Sequence, residues 1–131
     1  MQYYFLINEK LPSLNEVTRK NRSHWSKGAE QKSEIEELIG WYIVKAVNAG
    51  NLKPIDTACV IYIDWHEKTK RRDVDNIQSA QKFILDALQK QGILKNDSRK
   101  YVKQIYHHVY DDDEDRVVVR IEVYDDVEKQ N

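Results

Sequence analysis

Residues 57–92, TACVIYIDWHEKTKRRDVDNIQSAQKFILDALQKQG, join a strand-like segment to a helix-like segment through a short basic turn. Residues 57–66 predict a β-strand, because their apolar side chains alternate between two faces. Residues 74–91 predict an amphipathic helix that ends at Gly92, since apolar residues recur on one face at helical spacing. The members of that face are Ile77, Ala80, Ile84 and Leu88. A strand that leads into such a helix predicts a helix packed on a sheet.

The chain before this unit predicts one strand, one loop and one helix. The aromatic and branched run at residues 3–7 predicts a buried strand. Residues 10–27 have no apolar period and predict a long basic loop, which is uncommon in a compact domain unless it is functional. Residues 28–49 predict a helix that ends at Gly50.

The chain after this unit predicts two strands at residues 101–110 and 116–124. The acidic link at residues 111–115 joins them, and we expect it to be a hairpin loop because aspartate tolerates turn geometry. The predicted order of elements is therefore β-α-β-α-β-β. This order indicates an α+β fold in which one mixed sheet has helices packed on it.

Length and composition limit the class of protein. The chain has 131 residues, of which 40% are hydrophobic, and this length predicts a single domain over residues 1–131. Cys59 is the only cysteine, which excludes an intramolecular disulfide and a cysteine-based zinc site. No apolar run approaches the ~20 residues of a membrane span, and the first residues lack the pattern of a signal peptide. We therefore expect a cytoplasmic protein without a membrane partner.

The net charge of −1 hides an uneven distribution of charged residues. Residues 111–131 contain nine acidic and three basic residues, and we expect an acidic C-terminal tail from about residue 125. Residues 1–110 contain 18 basic and 13 acidic residues. A basic body with an acidic end is a hint of nucleic-acid binding, with an ordinary mixed surface as the alternative.

The turn between the predicted strand and helix contains Arg71-Arg72-Asp73-Val74-Asp75-Asn76. In an extended segment, residues two positions apart point to the same side, so Asp73 and Asp75 would present two carboxylates together. Adjacent carboxylates repel each other unless a cation lies between them, and their oxygen atoms suit Mg²⁺. Helix capping by Asp75 or Asn76 is the alternative, and it explains one of these residues but not Asp73 as well.

The helix predicted after this turn carries a polar stripe. At ~100° per residue, Asp75, Ser79, Lys82 and Asp86 fall within a narrow arc opposite the apolar face. A lysine on this stripe would meet a phosphate charge beside a metal site, whereas an ordinary i,i+4 ion pair with Asp86 is the simpler explanation. Asp97 follows the helix at a distance that lets the chain double back toward the two carboxylates, with a turn aspartate as the alternative.

Several of these residues together resemble the RusA family of Holliday junction resolvases. The resemblance is carried by Asp73-Val74-Asp75-Asn76, by Lys82-Phe83-Ile84-Leu85-Asp86-Ala87-Leu88, by Gly92 and by Asn96-Asp97. It covers residues 70–105 most strongly, and Leu11-Pro12-Ser13-Leu14-Asn15 echoes the start of the family pattern. Members of this family are small, phage-associated, dimeric, Mg²⁺-dependent endonucleases that cut four-way DNA junctions.

The resemblance implies a set of site residues. It implies that Asp73, Asp75 and Asp97 are essential carboxylates that bind Mg²⁺, with Mn²⁺ as a substitute, and that Lys82 is the essential lysine. It also implies supporting roles for Asn76 and Asp86. The chain departs from the pattern at two places, because some members carry the lysine at the position of Ser79 and two adjacent acids at that of Asn96-Asp97.

DNA contacts are expected from basic residues in the loops that flank this site, since phosphate contacts position a duplex without reading its sequence. The candidates are Arg19, Lys20, Arg22, Lys27, Lys68, Lys70, Arg71 and Arg72. The resemblance also implies a homodimer, which matches the near two-fold symmetry of a four-way junction. We expect exposed aromatic residues among Tyr3, Trp25, Trp41 and Trp65 to contribute to its interface.

The expected function is therefore Mg²⁺-dependent endonucleolytic resolution of four-way (Holliday) DNA junctions by paired phosphodiester hydrolysis, in DNA recombination and repair. Two alternatives stay open. One is a Mg²⁺-dependent nuclease for flaps or other branched DNA, which would use the same residues. The other is a non-catalytic protein that binds branched DNA, which the shifted lysine keeps open. A nucleotide-binding metal site is less well supported, because the chain has no Gly-rich phosphate loop.

Overall fold

The computed structural model describes residues 2–17 and 25–124, without the side chains of residues 25–29. Three predicted DNA-contacting residues, Arg19, Lys20 and Arg22, therefore lie outside the described residues. The side chain of Lys27 and the acidic tail from residue 125 also lie outside them.

The described residues form a mixed sheet with helices packed on it, so the predicted α+β class is confirmed. The strands are β1 (Gln2–Ile7), β2 (Cys59–Glu67), β3 (Val102–Asp111) and β4 (Arg116–Val123). The helices are α1 (Trp25–Asn48), α2 (Val74–Gln78) and α3 (Gln81–Lys90), with a single helical turn at residues 14–17. Within the described ranges, no helix is both long enough and apolar enough to cross a membrane.

The strand order in the sheet is β1-β4-β2-β3. β4 pairs antiparallel with β1 and with β2, whereas β2 and β3 are parallel. The predicted hairpin between the last two strands is therefore wrong, because β2 lies between them.

The acidic link between β3 and β4 crosses the end of β2 instead of making a tight turn. The N–H of Asp112 donates to the carbonyl of Glu67 at 3.0 Å, and the Asp115 carboxylate accepts the N–H of Lys68 at 2.8 Å. Strands separated by a third strand lie only ~10 Å apart, which a link of this length spans easily. The apolar strand β2 thereby takes the centre of the sheet, where its apolar residues are best covered.

Both of the predicted long helices differ from the observed ones: the first in where it begins, the second in being divided into two. α1 begins at Trp25, inside the predicted basic loop, and ends at Asn48. The predicted helix over residues 74–91 is two helices, because Ser79 and Ala80 form a turn between α2 and α3. At this turn Phe83 donates its N–H to Ala80 three residues back, and not four. The spacing of polar residues in the sequence is unbroken at this point, so periodicity alone gave no sign of the turn.

The helix ends were predicted correctly from two glycines. Gly50 and Gly92 have φ values of +80° and +73°, in the left-handed region that only glycine adopts at little cost. After α3, Gly92 donates its N–H to Gln89 at 3.0 Å and Ile93 donates to Leu88 at 2.9 Å. This pair of bonds satisfies the last carbonyls of the helix.

The helices cover one face of the sheet, and no helix within residues 2–17 and 25–124 covers the other face, here called the open face. Trp65 and Tyr3, two of the aromatic residues expected to be exposed, are only 1% and 9% exposed and belong to the core. The first strand was expected to be buried, but it is an edge strand whose Tyr4 and Leu6 are 45% and 36% exposed on the open face. Edge position and alternation explain this result, because every second side chain of β1 points away from the helices.

Candidate active site

The Asp73–Asn76 corner lies just beyond the carboxyl end of β2, where the basic turn leads into α2. Asp73 is the N-cap of α2, with an extended backbone (φ −69°, ψ 155°) and no capping bond from its side chain. Asp75 and Asn76 both lie within α2 and neither is its N-cap. The alternative in which one of them caps the helix is therefore wrong. The backbone is extended at Asp73, as expected, but Asp75 is already helical. The expected alternation of an extended segment therefore does not apply between these two residues. Both residues are exposed, and neither carboxylate is used for capping the helix.

Lys82 joins two of the predicted acidic residues. Its Nζ lies 3.2 Å from a carboxylate oxygen of Asp86 and 3.6 Å from one of Asp97. The hydrogen bond and charge of Asp86, with a smaller contribution from Asp97, raise the pKa of Lys82 above its ordinary value. The side chain is 48% exposed, so this cation is accessible to a DNA phosphate.

Asp86 also ties the lysine to helix α1. Its side chain is 18% exposed, and its second carboxylate oxygen lies 3.8 Å from Nζ of Lys32 on α1. A second ion pair, between Glu36 and Lys90, joins the same two helices one turn further along. The Lys82–Asp86 pair is therefore part of a network that fixes α3 on α1, and not an isolated surface pair.

The predicted metal ligands have suitable chemistry, but the structure does not gather them into one set. Within residues 2–17 and 25–124, no three histidine, cysteine or acidic side chains lie close enough together to hold a metal ion. Mg²⁺ is commonly bound by one or two carboxylates together with waters and substrate phosphates. Asp73 and Asp75 supply two such carboxylates, whereas Asp97 is engaged by Lys82. The donor set fits Mg²⁺ at this corner on chemical grounds.

The segment at residues 11–17, here called the docked segment, contacts the same corner. Asn15 donates from its side-chain amide to the side-chain oxygen of Asn76 at 3.0 Å. Ser79 accepts the N–H of Leu14 at 3.0 Å and donates its hydroxyl to the Asn76 carbonyl at 2.6 Å. Sequence reasoning gave Asn76 a supporting role without a contact, and it assigned none to Ser79.

Arg72 is buried in an ion pair that the sequence did not predict. Its guanidinium makes a two-pronged contact with Glu67, with N–O distances of 2.8–3.0 Å. The two side chains are only 12% and 6% exposed. Glu67 is the last residue of β2 and lies on the same face as the buried Ile63 and Trp65. The alternation of side chains along the strand was the only sequence signal for this buried position.

The other described cations of the predicted DNA-binding set are exposed. Lys68, Lys70 and Arg71 all lie in the turn before the corner. The side chain of Lys70 is 82% exposed, and its Nζ lies 3.8 Å from a carboxylate oxygen of Asp111, the last residue of β3. Lys68 donates its N–H to Asp115 in the acidic link, whereas Arg71 precedes Asp73 by two residues in the chain.

Three histidines, His66, His107 and His108, lie in strands β2 and β3. His107 accepts the indole N–H of Trp65 at 2.9 Å on Nδ1, so its proton is on Nε2, 2.8 Å from the Gln81 side-chain oxygen. Burial lowers the pKa of His107. His66 contacts Asp112 at 2.9 Å, in the link between β3 and β4.

Comparison with known protein families identifies the chain. Residues 11–122 match the family described as endodeoxyribonuclease RusA. The match begins at the segment docked on the Asp73–Asn76 corner and ends in β4, and so contains the predicted site residues that the structure describes. No curated protein matches the chain. Because the family match covers most of the sequence, the chain belongs to the RusA family of endodeoxyribonucleases.

Proposed function

We propose that this protein is a Mg²⁺-dependent endonuclease that cuts four-way DNA junctions by paired hydrolysis, as a cytoplasmic homodimer acting in DNA recombination and repair. The observation that supports it best is a corner with two exposed carboxylates that do not cap the helix, in a chain of the RusA family. Lys82 and Asp97, which are paired with each other, belong to the same family pattern and supply the remaining candidate groups.

In this proposal, Asp73 and Asp75 hold Mg²⁺, and Asp97 is the third ligand. A Mg²⁺ ion held there would supply positive charge to the phosphate and lower the pKa of a bound water. The Asp97 carboxylate lies 3.6 Å from Nζ of Lys82, so Asp97 would balance the charge of this lysine as well as that of the metal ion.

Lys82 acts as a fixed cation in this proposal. Its raised pKa keeps the Nζ protonated at neutral pH, so it cannot accept a proton from water there. A cation held in advance by Asp86 stabilises the negative charge that develops on the phosphate or the leaving oxygen. Asp86 is thus a positioning residue for Lys82, and Asn76 is one for the docked segment.

DNA binding would rest on the exposed cations beside the corner, with the basic residues before α1 as additional contacts. Two copies related by a two-fold axis would place two sites on opposing strands of a junction. Of the aromatic residues considered for the interface, Trp41 is 58% exposed on α1 and stays a candidate.

The test of the proposed site uses neutral replacements of its carboxylates. Asp73→Asn, Asp75→Asn and Asp97→Asn should each abolish junction cleavage in Mg²⁺ while binding to a labelled junction is kept or tightened, since a negative charge near DNA is removed. Asp56→Asn is the matched control, because Asp56 is exposed in the loop before β2 at the other end of the sheet. Full cleavage by both Asp73→Asn and Asp75→Asn would exclude this site.

A non-catalytic DNA-binding protein is the second candidate function. The observation in its favour is that the described residues contain no ready group of three metal ligands. This candidate predicts that the wild-type protein binds a four-way junction tightly and leaves it intact in Mg²⁺ and in Mn²⁺.

A further inference from the structure

Arg72 holds two distant parts of the chain together. Besides its contact with Glu67, it donates from a terminal nitrogen to the backbone carbonyl of Leu11 at 2.8 Å. Leu11 is 2% exposed, so this carbonyl belongs to a segment packed against the protein. The guanidinium therefore lies between the end of β2 and the start of the docked segment, directly before Asp73 in sequence.

The docked segment, residues 11–17, has its own internal order. Ser13 is 2% exposed and its hydroxyl accepts the N–H of Glu16 at 3.1 Å, as the cap of the helical turn at residues 14–17. Val17 is 5% exposed and closes the turn onto the core. Together with the bonds to Ser79 and Asn76, Arg72 fixes this segment at three points on the corner. The segment continues in sequence into residues 18–24, which contain Arg19, Lys20 and Arg22.

We propose that Arg72 and Glu67 are positioning residues, whose buried ion pair clasps residues 11–17 onto the Asp73–Asn76 corner. Because residues 11–17 lead directly into Arg19, Lys20 and Arg22, here called the basic segment, the clasp couples DNA binding by these cations to the catalytic site. This inference rests on the proposed function. It assigns Arg72 a role different from the direct phosphate contact that its charge suggests.

Two features argue against a phosphate contact by Arg72. The fork of its guanidinium is directed at the Glu67 carboxylate and the remaining terminal nitrogen is used by Leu11. The pair also has no net charge, and both side chains are almost entirely buried. Arg71, its exposed neighbour, is the better placed of the two for a phosphate.

The two roles predict opposite effects of Glu67→Gln on binding to a synthetic four-way junction. If Arg72 contacts a phosphate, removing the negative charge of Glu67 leaves junction affinity unchanged or raises it. If the pair is a clasp, Glu67→Gln weakens junction binding by about tenfold, a typical coupling between sites. Arg72→Lys weakens it similarly, because an ammonium cannot replace the planar fork.

The salt dependence of binding provides a second readout. Loss of a phosphate contact reduces the magnitude of the slope of log K against log salt by ~0.9. Loss of the clasp leaves the slope unchanged, because the basic segment still makes its phosphate contacts and only the cost of ordering it is added. We expect an unchanged slope for Arg72→Met and a reduced slope for the control Arg71→Met. A reduced slope for Arg72→Met, or tighter binding by Glu67→Gln, would overturn the proposal.

Hydrogen exchange measures the clasp without any DNA. Glu67→Gln should remove the protection of the amides in residues 11–17 while α3 stays protected. Ser79→Ala removes the bond to Leu14 with less risk to folding, and it should also remove the protection of these amides. Ser33→Ala, on the exposed side of α1, is the control and should leave the protection unchanged. Retained protection in both clasp variants, or lost protection with unchanged junction affinity, contradicts the inference. If the wild-type protein fails to bind junctions, the proposed function fails, and this exchange result still decides whether the clasp exists.

Discussion

Lys82 has a local environment that suits a permanent cation. Asp86 holds it on the same helix, and Asp97 approaches it from the loop after α3. Sequence spacing predicted the contact with Asp86, which is one helical turn away. The approach of Asp97 depends on the path of the chain after Gly92, and local sequence alone favoured a simple turn aspartate.

The first prediction concerns this lysine. Lys82→Ala should lower the cleavage rate by roughly 10²–10³-fold, the usual loss when one preorganised group at a transition state is removed. Junction binding should fall much less, since one phosphate contact at most is lost. Single-turnover cleavage at saturating enzyme separates the two effects. Lys53→Ala is the control, because Lys53 lies near the start of β2 and over the Tyr3 ring; an equal loss in this variant would remove the special role of Lys82.

The second prediction concerns His107 and pH. Its pKa is lowered in the folded protein from an ordinary 6.5, so the unfolded chain binds more protons just below that pH. Stability should therefore be fully present above about pH 6.5 and decrease as the pH falls from there toward the lower folded pKa. Protonation at Nδ1 would also set a proton against the indole N–H of Trp65.

Thermal unfolding between pH 7.5 and pH 5 measures this effect. His107→Gln should flatten the dependence of Tm on pH in that range, whereas His108→Gln, at the exposed neighbouring position, should leave it as in the wild type. The same slope in all three proteins would show that His107 does not carry the effect.

Among the secondary-structure elements, the helices and strands were predictable from their periods, but their connections were not. Alternation in β2 and the stop at Gly92 are local signals, and both appear in the structure. The pairing of β3 and β4 with β2, and not with each other, is decided by which strand gains most from the central position. That choice depends on the whole sheet and leaves no local signal in the acidic link.

The third prediction compares two glycines in or after helices. At Gly40, an added Cβ would lie 2.6 Å from the side-chain nitrogen of Gln91, the far end of a flexible side chain that is free to move away. Gly40→Ala should therefore be neutral or stabilise the protein by up to ~1 kcal/mol, because alanine favours the helix interior. Gly92→Ala should destabilise it by about 1–2 kcal/mol, since φ is +73° there.

Urea unfolding of the two variants checks this comparison. The expected order of midpoints is Gly40→Ala at or above the wild type, and the wild type above Gly92→Ala. A large loss in Gly40→Ala would mean that α1 and α3 are packed too tightly at this point for Gln91 to move.

For the whole molecule, the candidate site is assembled from parts that are far apart in sequence. The Asp73–Asn76 corner and the Lys82 stripe were predictable, since they lie within one strand-turn-helix unit. The roles of the docked segment and of Glu67 were not predictable. The docked segment contacts Asn76 and Arg72, and Glu67 contacts Arg72, only in the folded chain, and no local sequence pattern indicates these pairings.

The fourth prediction is the contribution of the buried ion pair to stability. Arg72→Ala leaves the Glu67 carboxylate buried without its partner and should lower the free energy of unfolding by roughly 3–5 kcal/mol. The neighbouring Arg71→Ala, at an exposed position, should change it by less than ~0.5 kcal/mol. Urea unfolding of both variants gives the comparison, and equal stabilities would contradict the buried position of Arg72.

The central claim is that the protein is a metal-dependent endonuclease for four-way DNA junctions. Its most direct test gives the purified full chain a labelled four-way junction, a flap and a linear duplex, each with Mg²⁺ and with EDTA. We predict paired cuts at opposing strands of the junction alone, which disappear with EDTA and in Asp75→Asn. Preferential cutting of the flap would instead identify a branch nuclease on the same scaffold. Tight junction binding without any cutting in Mg²⁺ or Mn²⁺ would contradict the claim and identify a DNA-binding protein without nuclease activity.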